Sequence, residues 1–111
     1  MPSKKLLEFC GTSLKDLKAF SAAARREAGY QLDLVQDGIE PADSKPFKSV
    51  GPGVREIRIT EQDGAFRVMY AATLADAVYV LHCFVKKSQQ TELKDVRIAK
   101  KRFDDLVREK S

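Results

Sequence analysis

The side chains in this sequence best suited to chemistry are two arginines, a histidine and a pair of lysines. Arg58 and Arg67 fall in "VREIRI" (54–59) and "AFRVMY" (65–70), two strand-like runs on either side of "TEQDG". Asp63-Gly64 in that connection marks a tight hairpin. His82 and Phe84 lie in "AVYVLHCFV" (77–85), an apolar run that passes straight into Lys86 and Lys87. An arginine fork grips phosphate oxygens in two places, and a lysine supplies a mobile point charge. Histidine is the residue type that exchanges protons nearest neutrality. If these side chains converge, they fit the binding of a phosphate backbone.

Strand geometry tests the convergence. If residue 60 pairs with 65, Arg58 lies opposite Arg67 and Glu56 opposite Met69 on one face. Ile59–Phe66, Ile57–Val68 and Arg55–Tyr70 then make the core-facing side. A tighter turn pairing 62 with 65 shifts partners by two residues and keeps the faces. Like charges directly opposite are destabilising, on a scale of roughly 0.2–1 kcal/mol per pair. Two readings follow: an anion sits between the arginines, or Glu56 and solvent neutralise them.

A third strand returning through "ATLADA", with 72 near 77, puts Arg67 opposite His82, with Phe84 on the same face. Taken singly, His82 reads as a half-buried core histidine and Lys86-Lys87 as a solvated strand end. Taken with Arg58 and Arg67, they form a basic patch with a ring on which a base could stack.

A chain of 111 residues suits one domain, 1–111, with its own core. With 43% hydrophobic and 32% charged residues, the balance is globular. A net charge of +4 and a pI near 9.1 permit a nucleic-acid partner without requiring one. "KKLLEF" (4–9) reads as a first strand. Ser13 is a candidate N-cap, with Asp16 three residues on, for a helix through Leu14, Leu17 and Phe20. Ser21 restarts it, and Phe20, Ala24, Ala28, Leu32 and Val35 continue the stripe to a stop at Gly38. Residues 38–53 form a long Pro- and Gly-rich connection, either functional or packed down by Phe47 and Val50. Thr91 is the expected N-cap of a closing helix with Val96, Ala99, Phe103 and Leu106 on one stripe. The order β-α-α-β-β-β-α describes a small α+β domain, helices packed on one face of an antiparallel sheet.

Cys10 and Cys83 lack CxxC or Cys/His ligand spacing and are expected as reduced, partly buried thiols. His82 and Cys83 are strand neighbours, so they point to opposite faces and cannot chelate one ion. No metal or other cofactor is expected. There is no signal-peptide pattern and no apolar run near the ~20 residues of a membrane span, so a soluble cytoplasmic protein is expected.

"VREIRI", "GAFRVMY", "YVLHCFVKKSQQT" and the basic helix "LKDVRIAKKRFDDL" together resemble the RelE-type toxins of bacterial toxin–antitoxin pairs. "GTSLKDLKAF" and "RREAGYQLDLVQDGIEP" extend the similarity to the phage-derived, HigB-like branch and to nearly the whole chain. The resemblance implies a metal-independent, ribosome-dependent endoribonuclease that cuts mRNA. It further implies silencing by a co-encoded helix-turn-helix antitoxin, with operator DNA reached only through that partner. It assigns Arg58, Arg67, Lys86 and Lys87 to the scissile phosphate, with His82 a candidate for proton transfer. Phe84, Lys94, Lys100 and Lys101 would contact RNA, and Tyr70 would be structural. Leu93 stands where some members carry a tyrosine, so no general base is evident. Rival readings are a gyrase-inhibiting toxin of the ParE kind and a non-enzymatic nucleic-acid or protein-binding module.

Overall fold

The computed structural model describes residues 4–74 and 77–110. A five-stranded sheet runs in the order β1 (Leu6–Phe9), β5 (Ala77–Lys86), β4 (Gly64–Ala71), β3 (Val54–Glu61), β2 (Ser44–Pro46). Three helices complete it: α1 (Ser13–Lys18), α2 (Ala22–Gln36) and α3 (Leu93–Lys110).

Of the two hairpin registers that alternation allows, the structure has the one closed by Gln62 and Asp63, with Gly64 already in β4. Thr60 pairs with Ala65, Arg58 with Arg67, Glu56 with Met69, and Ile57 with Val68. β5 is apolar on both faces because helices cover both. Ile57, Ile59, Phe66, Val68, Tyr70, Val78, Val80 and Cys83 pack on Leu17, Phe20, Ala24, Ala28, Leu32 and Val35 of the α1–α2 segment. On the other face Val54, Met69, Ala71, Tyr79 and Leu81 pack on Ala99, Phe103 and Leu106 of α3.

The α+β class and the expected elements therefore stand, with three differences. α3 lies across the sheet from α1 and α2, so the helices are not all on one face. β1 pairs parallel to β5, making the sheet mixed. The 38–53 connection contributes β2, and it is packed down by buried Val50 and partly buried Phe47. Phe103 lies so close to Gly51 that a Cβ there would meet the ring at 2.3 Å, which ties this connection to α3.

Helix ends follow local chemistry, with two corrections. Ser21 caps α2, its hydroxyl accepting from the Ala24 N–H at 3.3 Å. Gly38, at φ +78°, ends it: the Gly38 and Ile39 amides donate back to Val35 and Leu34, the paired bonds of a Schellman motif. Ser13, expected as a cap, lies inside α1, where its buried hydroxyl donates to the Val80 carbonyl. Thr91, expected to cap α3, instead donates its hydroxyl to Glu56, and the Glu92 carbonyl receives the first helical amides. In both cases the hydroxyl donates to a long-range acceptor and does not accept from a local amide.

Candidate functional site

One end of the α3 face extends past α3 and carries the charged residues of the hairpin. Arg58 and Arg67 are cross-strand partners there, as strand parity requires. Neither guanidinium is left bare. Arg67, 8% exposed, donates from Nη1 to the Phe66 carbonyl at 2.9 Å and holds its Nε 3.8 Å from Glu56 Oε1. Burial lowers the Arg67 pKa, Glu56 opposes that shift, and Arg58 adds to it. Arg58 is half-buried and turns to Asp43, whose Oδ1 accepts from Nε at 2.8 Å and lies 2.7 Å from Nη2. The repulsion of facing arginines is thus relieved by two separate carboxylates, one in the sheet and one on the loop before β2.

Glu56 is fully buried. Its Oε2 accepts from the Thr91 hydroxyl at 3.2 Å, and Oε1 lies 3.9 Å from Lys45 Nζ. Lys45 belongs to β2 and pairs with Glu56 across the strands. The sequence reading missed both Lys45 and Asp43, because a three-residue strand ending in Pro46 has too little alternation to register.

Lys86 ends β5 half-buried, while Lys87 is exposed. Burial lowers the pKa of the Lys86 ammonium; Arg67, Lys45 and Arg58 add to this, and Glu56 opposes it. A shallow hollow of about 540 Å³ is lined by Ala65, Arg67, Lys86, Lys87, Ser88 and Gln89. It is open, basic and floored by the fixed guanidinium of Arg67, which suits it to an extended anionic chain.

The remaining expected residues lie elsewhere. Tyr70 pairs with Val80, one residue off the expected register, and an irregularity between Met69 and Tyr70 adds one more, so Arg67 faces Phe84, not His82, and His82 faces Met69. A two-residue shift keeps the face while changing the partner. His82 is buried with its Nε2 2.7 Å from Asp95 Oδ1, turned toward the first turn of α3. Its ring stacks on Phe84 at 4.9 Å and 18°. Phe84 is itself buried, so its ring is engaged by His82 and is not an open platform for a base. Cys83, beside His82, projects to the opposite core, and burial pushes its thiol up to about 12. Both cysteines are free. Lys100 and Lys101 sit on the outer face of α3, paired with Asp104 and Asp105 one turn on, at 3.5 and 3.0 Å. Lys94 is exposed and lies 3.9 Å from Glu92. These three are not gathered with Arg67 and Lys86 by any contact in the structure. Tyr70 is buried in the α1–α2 core, as parity predicts, and burial raises its hydroxyl pKa.

Fold and site together define a small α+β protein with a basic sheet end. The family model "Phage derived protein Gp49-like (DUF891)" matches residues 15–104, and the chain belongs to that family. It is a family associated with RelE-type, toxin-like proteins, and toxins of that kind have an antitoxin partner. No curated protein matches the chain. Among the described residues, no helix is long and apolar enough to cross a membrane.

Proposed function

We propose that this chain is the toxin of a toxin–antitoxin pair in the HigB-like branch, a ribosome-dependent endoribonuclease that cuts mRNA. The observation that carries the reading is the meeting of Arg67, Lys45 and Lys86 around a buried carboxylate beside an open basic hollow. RNA brings its own nucleophile, the 2′-hydroxyl. The protein must align it, neutralise the charge that develops on phosphorus, and see the leaving 5′-oxygen protonated.

Arg67 is the fixed element, a guanidinium already oriented and largely dehydrated, so its field at a bound phosphate is strong. Arg58 reaches the same phosphate once it leaves Asp43. Lys86 is the proton donor, since a lowered pKa makes its ammonium a better acid than an ordinary lysine. Lys87 adds attraction for the backbone. His82, held by Asp95 and Phe84, acts by fixing the end of β5 from which Lys86 projects. The 2′-hydroxyl proton passes to solvent water as the O–P bond forms, and the ribosome supplies the substrate geometry, so the hollow needs no strong base of its own. Work on ribosomes places the protein in the cytoplasm, and a helix-turn-helix antitoxin both silences it and carries it to operator DNA.

The deciding experiment adds the purified chain to a translating extract, with and without ribosomes, and maps mRNA ends. Discrete cuts that require ribosomes are expected. Intact mRNA, together with formation of a stable complex with the neighbouring gene product, selects a non-enzymatic binding module. That second reading is favoured by one observation: both arginines already have carboxylate neighbours.

A further inference from the structure

Glu56 performs no step in the proposed reaction, yet the basic cluster is arranged around it. Burying a carboxylate is costly unless its oxygens are paired. Glu56 is 0% exposed, and its Oε1 has no hydrogen-bond partner. The buried Nε of Arg67 likewise has none and lies 3.8 Å from that oxygen. On the same face Val54 and Met69 show what an apolar residue does there: it packs beneath α3. Replacing a buried ion pair by apolar residues is often neutral or stabilising, so stability alone does not explain a carboxylate at this position.

Its contacts explain it better. Glu56 on β3 draws together Arg67 of β4 (3.8 Å), Lys45 of β2 (3.9 Å) and Thr91 of the segment before α3 (3.2 Å). We infer that Glu56 is a positioning residue: its carboxylate ties Arg67, Lys45 and the Thr91 segment into one unit and sets the field at Lys86. The inference rests on the nuclease reading of the same cluster.

Four charged groups act on Lys86: Arg67 from β4, Arg58 and Glu56 from β3, and Lys45 from β2. The three cations disfavour its ammonium and Glu56 favours it. Removing the negative charge at 56 must therefore lower the Lys86 pKa further. It also removes the charge that faces Arg67 Nε, leaving the guanidinium its bond to the Phe66 carbonyl.

Glu56→Gln in the full chain, which keeps shape and removes charge, tests both effects. Carbon-13 methylation of lysines, read by NMR, gives the titration midpoint of Lys86, which is expected to fall below that of the wild type. Turnover on ribosome-bound mRNA is expected to drop about a hundredfold, the scale set by a misplaced catalytic group, with half-saturation little changed. Glu56→Asp keeps the charge and is expected to hold the Lys86 midpoint near wild type while recovering part of the turnover. A Glu56→Gln protein with wild-type melting, midpoint and turnover overturns the proposal. Should that variant not fold, Glu56→Asp decides alone: a midpoint held with reduced turnover supports the role, and wild-type turnover rejects it. If the wild-type chain leaves mRNA intact, the nuclease reading fails, and the Lys86 midpoint still decides whether Glu56 sets its charge.

Discussion

The two faces of this sheet are built from the same strands and do different work. The face under α1 and α2 is apolar from Ile57 and Val68 to Val80 and Cys83, with Arg55 at its margin bonded to Ser44 and Glu40. The face under α3 is apolar at one end, around Val54, Tyr79 and Phe103, and ionic toward the other, with Glu56 and Arg67 buried and Lys86 beside them. Alternation along a strand lets one segment serve both faces, since neighbouring side chains point opposite ways. The difference teaches where this protein carries expense without evident gain in stability. A buried arginine near a buried glutamate is a weak source of stability, and it lies only where one face extends past its helix.

The comparison breaks most sharply under paired substitutions on opposite faces. Leu32→Ala, on α2, empties a fully packed site and is expected to cost about 2–5 kcal/mol of stability in a denaturant titration. Its activity per folded molecule should stay near wild type. If the melting transition is unmoved, the α1–α2 face is not the main source of stability.

Arg67→Ala should act mainly on cleavage, with some loss of stability as buried Glu56 loses a charged neighbour. Loss of a charge contact made in the transition state costs about 2.7–4 kcal/mol, a hundred- to thousandfold in cleavage rate, measured at saturating ribosome-bound mRNA. A variant that melts normally and cuts at the wild-type rate removes the clamp from the reading altogether.

Replacing both Lys86 and Lys87 by Gln sharpens the contrast within the ionic end. Each lysine that meets a phosphate should take roughly 0.7 from the slope of log affinity against log salt for single-stranded RNA. Titrations at several salt concentrations measure it. An unchanged slope returns both lysines to the status of a solvated strand end.

The smallest effect is expected at Asp43, whose pair with Arg58 is exposed. Such pairs contribute about 0–1 kcal/mol, so Asp43→Asn should tighten RNA binding by up to about fivefold as Arg58 becomes free. Weaker binding in that variant means that Asp43 orients Arg58 for its ligand and does not compete with it.

What the sequence determined by itself was local. Alternation put Arg58 and Arg67 on one face in either hairpin register, and the 60–65 pairing makes them direct partners. The stripe Phe20–Ala24–Ala28–Leu32–Val35 and the stop at Gly38 were legible because helical period and left-handed backbone are written in single residues. Tertiary structure decided the rest. Amphipathic periodicity says that α3 has an apolar side but not which face of the sheet receives it. Period-two patterning fixes a side chain's face but leaves register free by two; a one-residue offset at Tyr70–Val80 and the one-residue irregularity after Met69 together carried His82 away from Arg67. Ser13 and Thr91 have good capping side chains that bond Val80 and Glu56 instead, acceptors remote in sequence and brought near only by folding. Asp43 and Lys45 came to the arginines and Glu56 in the same way, on a strand too short to show a pattern. Which charges meet is set by the packing of distant segments, and no local period encodes it.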